Sequence, residues 1–162
     1  MFIDIIKEDA KRGKVIIYSD MDGVLCEYGA GEKGLIMSNE KGFYLSKRPL
    51  FSMLRKLEEL SHIENVEVGI MSNCYYLEQK EDKIKWLEKY CPFIKKENIN
   101  IIVLTNEVYT KETKDFLKGE RLLSITSGSN KKWYLFEDNH DIIKCTNKLV
   151  EGSGRHFSEL ID

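Results

Sequence analysis

Asp20 and Asp22 stand one residue apart where an apolar run ends, in VIIYSDMDGVL over residues 15–25, and Gly23 follows them directly. Two carboxylates that close repel each other, so unless both are simply solvated a cation must balance them. Carboxylates placed so can bind a hard metal ion. The Asp-x-Asp-Gly pattern alone is weak, because turns favour aspartate and glycine. An EF-hand calcium loop also begins this way, but Val24 occupies a ligand position and Gly31 stands where the closing glutamate belongs. That reading fails.

Two further apolar runs end on polar groups. Residues 66–71 (VEVGIM) lead into Ser72-Asn73, and residues 132–136 (KWYLF) lead into Glu137-Asp138, with Asp141 shortly after. Taken singly, Ser72-Asn73 reads as a helix cap, and Glu137-Asp138 as the acidic start of a helix, favoured by its dipole. In an open α/β sheet, however, ligands sit outside the carboxyl ends of the strands. Three strand ends furnished with groups that bind metal or phosphate make one site the better reading.

Those ends need elements to carry them. Strands are expected at 14–19, 66–71, 99–104 and 132–137. Between them, 49–61 sets Leu50, Leu54, Leu57 and Leu60 at helical spacing behind Pro49, and 76–90 does the same with Leu77, Ile84, Trp86 and Leu87. Residues 110–118 predict a short third helix capped by Thr110, and a last one covers about 140–150. GLIMS (34–38) and GFYLS (42–46), either side of Asn39-Glu40-Lys41, predict a small β-hairpin flap, and 120–131 a short strand followed by a Gly/Ser loop. Strands alternating with helices predict an α/β domain, a Rossmann-like three-layer α/β/α sandwich on a mainly parallel sheet.

The totals suit that picture. At 162 residues, one domain with a real core is expected. A net charge of −2 gives no reason to expect a nucleic-acid surface, and Lys131-Lys132 beside Trp133 is too short a patch to supply one. Cys26, Cys74, Cys91 and Cys145 form no CxxC pair, which argues for reduced thiols in apolar niches rather than zinc or disulfides. No segment approaches the roughly 20 apolar residues that span a bilayer, and the N-terminus lacks a signal peptide's apolar core. No membrane partner is expected, and cytoplasm is the default location.

With those motifs assembled, the chain resembles the haloacid dehalogenase superfamily of phosphohydrolases from about residue 14 to 150. DMDGVL is similar to its first motif, IMSN to its second and FEDNHD to its acidic fourth. The Glu-Asp-x-x-Asp spacing and the KRPLF segment are most similar to the deoxyribonucleotidase-like branch. The resemblance implies that Asp20 is the nucleophile, passing through an aspartyl-phosphate, and that Asp22 protonates the leaving oxygen and then activates water. It implies a Mg²⁺ cofactor held by Asp20, the backbone carbonyl of Asp22, and Asp138, with Glu137 and Asp141 assisting. Gly23 would let the backbone approach the phosphate, and Ser72 and Asn73 would donate to its oxygens. A lysine should neutralise nucleophile and phosphate from near a helix start after the third strand. Lys111 is preferred there over Lys114, although neither proline nor glycine frames it.

Larger relatives carry a cap domain, for which residues 25–47 and 74–99 leave little room; a nearly capless member is expected. Its open site suits a large phosphorylated substrate, or a small one enclosed by a second copy in a homo-oligomer. A small phosphorylated substrate is the leading expectation, nucleotides among the candidates. Tyr28, Phe43 and Tyr44 could stack on a base or form the hairpin's own core. Lys47 and Arg48 could meet a second phosphate. The alternative to a phosphomonoesterase is a regulatory domain of the same fold that binds phosphate or metal with little turnover. A response-regulator receiver shares the aspartate, serine and lysine logic, but its acceptor closes a middle strand rather than the first.

Overall fold

The structure is a computed structural model in which residues 1–27 and 42–161 are described. Five strands form one parallel sheet: β1 (Val15–Ser19), β2 (Val66–Cys74), β3 (Ile99–Val103), β4 (Lys132–Glu137) and β5 (Gly154–His156), in the order β3-β2-β1-β4-β5. All five residues of β1 are buried, as expected of a central strand covered on both faces.

Six helices are described: α1 (Phe2–Arg12), α2 (Phe51–Ser61), α3 (Leu77–Tyr90), α4 (Leu117–Thr126), α5 (His140–Leu149) and α6 (Ser158–Ile161). From β1 the chain steps outward through α2 to β2 and through α3 to β3, then returns across the sheet to β4 and β5. Strand–helix–strand crossovers between parallel strands are right-handed, so reversing the direction of travel moves the helices to the other face. The buried side chains divide accordingly. Ile17, Val68 and Phe136 pack with Ile6 of α1 and Leu57 of α2, while Ile16, Tyr18 and Leu135 pack with Leu122 of α4 and Ile142 of α5. This is the three-layer sandwich that the alternating pattern predicted.

The four expected strands are present. β5, three residues without an apolar run, and α1 were not foreseen. In α1 the buried positions Phe2, Ile3, Ile6 and Ala10 make one face, and the Phe2 ring meets Tyr134 and Phe136 edge-on at 5.0 and 5.6 Å.

Three expectations are corrected. Residues 111–113 form a turn and Lys114–Phe116 a single 3₁₀ turn, so the helix expected at 110–118 starts only at Leu117. The strand expected after residue 120 is the body of α4, whose Leu122 enters the core. In the predicted hairpin, 34–38 lies outside the described residues, and the other half is a turn followed by a 3₁₀ turn at Tyr44–Ser46 rather than a strand. The base of this excursion is drawn together by backbone bonds, Glu27 N–H to Arg48 O at 3.0 Å and Leu50 N–H to Leu25 O at 2.7 Å. Cys26, Cys74 and Cys91 are buried thiols and Cys145 a partly exposed one. Among the described residues no helix is long and apolar enough to cross a membrane.

Candidate active site

β1, β2 and β4 point the same way, so their carboxyl ends open on one edge of the sheet. Ser19 lies opposite Ile70 on one side and Phe136 on the other. That register carries Asp20 alongside Glu137, and the Asp20 N–H donates to the Phe136 carbonyl at 2.9 Å. β2 extends further, so Ser72 and Asn73 are strand residues opposite Ile101 and Ile102 of β3, not a helix cap. β2 and β3 flank β1 on one side, β4 and β5 on the other. The reversal between β1 and β4 is where open α/β sheets hold their ligands.

Past Asp20 the chain turns sharply. The N–H groups of Val24, Leu25 and Cys26 all converge on the Met21 carbonyl, at 3.1, 2.8 and 3.2 Å. Gly23 takes φ of 78°, a left-handed conformation that side chains disfavour. Met21 is buried in the core, and the two aspartates diverge into two clusters.

In the first, Lys118 reaches across from α4. Its Nζ lies 2.9 Å from Asp20 Oδ1 and 2.6 Å from Glu137 Oε2, and all three residues are buried. The other Glu137 oxygen accepts the N–H groups of Asp138 and Asn139, at 3.1 and 3.3 Å. Asn139 caps α5, its Oδ1 accepting from Asp141 and Ile142 N–H. Burial, and then the charge of Glu137, push the Asp20 carboxyl up to about 8 against the pull of Lys118. Burial alone would lower Lys118, but Asp20 and Glu137 carry it above the ordinary lysine value.

The second cluster surrounds Asp22. Lys83 of α3, wholly buried, donates to Asp22 Oδ2 at 2.9 Å, to Ser72 Oγ at 2.8 Å and to the Asn73 carbonyl at 2.7 Å. Lys47 binds Asp22 Oδ1, and its own carbonyl accepts from Trp86 Nε1 at 3.0 Å. The Tyr44 ring walls both ammonium groups, its centroid 4.5 Å from Lys47 Nζ and 4.8 Å from Lys83 Nζ. Burial disfavours the Asp22 charge, yet Lys83 and Lys47 together hold the carboxyl down at about 2.

No protein-family model matches the chain, and no curated protein matches it.

One carboxylate oxygen each of Asp20, Glu137 and Asp138 lies within 4.8 Å of the others. An all-oxygen set of this kind fits a hard cation such as Mg²⁺. Both Glu137 oxygens already have partners, which leaves Asp20 and Asp138 the better placed as direct ligands. Burial, and less strongly the Asp20 charge, raise the Asp138 carboxyl as well. A divalent ion would relieve that repulsion.

The structure therefore brings together Asp20, Asp22, Gly23, Ser72, Asn73, Glu137 and Asp138. It does not bring in Lys111, which is exposed in the turn before α4, or Lys114, whose Nζ lies 5.7 Å from the Tyr75 ring centroid. The lysine beside Asp20 is Lys118. Gly119 follows it; a Cβ there would lie 2.9 Å from Leu149 of α5, so its absence lets α4 and α5 approach closely. Asp141 stays exposed on α5. Arg48 is exposed as well, whereas Lys47 is engaged by Asp22. Phe43 and Tyr44 meet edge-on at 5.6 Å, and Tyr28 lies outside the described residues. Lys83 was missed because the helix around it reads as amphipathic through its leucines. Its buried face keeps the expected Trp86 and Leu87 but adds Gln79, Asp82 and Lys83, while Leu77 is exposed.

Proposed function

We propose that the protein is a Mg²⁺-dependent phosphomonoesterase of the haloacid dehalogenase type, working through Asp20. The observation that carries this reading is the placement of two carboxylates, Asp20 and Asp22, on the turn that left-handed Gly23 follows at the sheet's switch point, each beside a buried lysine. A carboxylate attacks phosphorus only where approaching negative charges are neutralised. Lys118 supplies one such charge to Asp20, and Asp20 and Asp138 would hold the metal ion. Bound there, Mg²⁺ would screen the phosphoryl oxygens and orient them.

Asp20 must first lose its proton to solvent, which a cation held by Asp20 and Asp138 would favour; its carboxylate then forms a bond to phosphorus as the ester P–O bond breaks, and the leaving oxygen takes a proton from Asp22. Water then attacks phosphorus, gives a proton to Asp22, and the bond from Asp20 to phosphorus breaks to release phosphate. Asp22 is ionised as it stands in the structure, ready for the second half of this sequence. For the first half it must acquire a proton from solvent, to which its side chain is 19% exposed, and that becomes easier once it leaves the two lysines that hold it ionised.

A phosphate-release screen over nucleotides, sugar phosphates and phosphopeptides, with and without Mg²⁺, tests the reading. Asp20→Asn is expected to lower turnover by about a thousandfold or more while the circular-dichroism spectrum is unchanged. Full metal-dependent activity in that variant would remove Asp20 as the nucleophile. A second reading, a regulatory domain that binds phosphate or metal with little turnover, has one observation in its favour. Both Asp22 oxygens are engaged by lysines, an arrangement that suits a structural carboxylate as well as an acid. Metal binding without hydrolysis of any ester would favour it.

A further inference from the structure

An ammonium group has three hydrogens to donate and no lone pair with which to accept. Lys83 directs its hydrogens at three partners, Asp22 Oδ2, Ser72 Oγ and the Asn73 carbonyl. Since Lys83 can only donate, the Ser72 oxygen accepts in that bond, and the hydroxyl hydrogen must point elsewhere. Among the described residues it meets no acceptor, although Ser72 is wholly buried. Beside it, Asn73 Oδ1 is buried with no hydrogen-bond partner. A buried hydroxyl hydrogen without an acceptor costs stability and suits an incoming anion, whereas the Asn73 oxygen can only accept and is no partner for one.

Asp22 is the member of this cluster open to solvent. Its side chain is 19% exposed, against 0% for Lys83 and 8% for Lys47. The buried groups are thus cationic or hydrogen-bonding, and the outermost one is an anion lying across them. A phosphate presents the same chemistry to the lysines as a carboxylate does, with more oxygens. Lysine's compact charge on a flexible stem also tolerates a change of partner.

We infer that Lys83 is a substrate-phosphate-binding residue, and that Asp22 holds the phosphate's place on it until substrate arrives. This rests on the phosphomonoesterase reading. Arrival of the phosphate transfers Lys83 from the carboxylate to a phosphoryl oxygen, uncovers the Ser72 hydroxyl as a further donor, and releases Asp22 toward the leaving oxygen. The same contact that keeps Asp22 engaged before binding then makes its release depend on phosphate.

The test is orthophosphate binding in the presence of Mg²⁺, measured by calorimetry so that no turnover is needed. Asp22→Asn, which removes the resident anion, is expected to bind orthophosphate several-fold more tightly than wild type. Adding Lys83→Met to Asp22→Asn removes both charges of the Lys83–Asp22 pair, leaving Lys47 as the charge that remains in the cluster, and is expected to weaken binding at least about tenfold relative to Asp22→Asn. Adding Lys83→Gln instead, uncharged but still a donor, should recover part of that loss. If Lys83→Met in the Asp22→Asn background changes nothing, Lys83 serves only as the partner of Asp22 and the inference falls. Equal losses with Met and Gln would mean charge acting at a distance, and would also overturn it. If wild type and Asp22→Asn both fail to bind orthophosphate, the phosphomonoesterase reading itself fails and takes this inference with it.

Discussion

At the scale of single residues, the two aspartates of one turn have opposite electrostatics. Asp20 is pushed up to about 8 by burial and Glu137, while Asp22 is held at about 2 by two lysines that overcome its burial. The signs give separate pH windows. A folded-state value below the ordinary 3.8 means that Asp22 stabilises the protein above pH 4, and that this contribution is lost as pH falls toward 2. A gap of that size corresponds to about 2 kcal/mol. Asp20 works the other way: its raised value favours the folded state at low pH, and that advantage fades as pH rises from about 4 to about 8. Urea melts of wild type and Asp22→Asn between pH 2 and 5 check the first window. The variant is expected to be less stable at pH 5, because Lys83 loses its charge partner, and to show a flatter acid limb. An acid limb as steep as wild type's would mean that Asp22 is not held ionised in the folded state.

At the scale of elements, the site depends on how closely β1 and β2 lie. Tyr18 of β1 is opposite Gly69 of β2, and a Cβ at position 69 would come within 2.8 Å of the Tyr18 ring and 2.7 Å of the Asn98 carbonyl. The glycine lets the tyrosine ring lie over β2, two residues before Asp20 and three before Ser72. Gly69→Ala is therefore expected to destabilise the fold by about 1–3 kcal/mol, since a backbone oxygen cannot move aside cheaply. Denaturant midpoints measure this, and an unchanged midpoint would show that the strands can separate at no cost. α3 and α4 perform the matching task from opposite faces of the sheet, each delivering one buried lysine to the carboxyl edge.

At the scale of the whole molecule, binding and folding are linked: a cation held only by the native state raises the melting temperature with concentration. Mg²⁺ titrations by differential scanning fluorimetry are expected to shift wild type upward, and Asp138→Asn to lose most of that shift. An equal shift in both would place the ion elsewhere. The carboxylate half of this site was legible in the sequence because few folded positions suit an aspartate or glutamate that ends a β-branched apolar run. Strand alternation and strand-end position sufficed for Asp20, Asp22, Ser72, Glu137 and Asp138. The cationic half was not legible. Lys118 and Lys83 find their carboxylates across 98 and 61 positions of chain, and a lysine on an amphipathic helix reads as solvent-facing until its partner is known. α1 and β5 escaped for a simpler reason: a helix with acids among its isoleucines, and a strand of three residues, carry little periodicity to detect.

The strand order also has a consequence for synthesis. β1, β2 and β3 emerge from the ribosome first and can pair as soon as β3 is complete, but β1 keeps one naked edge until β4 follows, some 30 residues after β3. During that interval the nascent chain offers neighbouring polypeptides an unsatisfied row of backbone groups. It cannot yet set Glu137 against Asp20, because the strand that carries Glu137 has not been translated. The pairing that silences this sticky edge of β1 is thus the one that completes the acidic cluster, so protection of that edge and assembly of the cluster come in a single event.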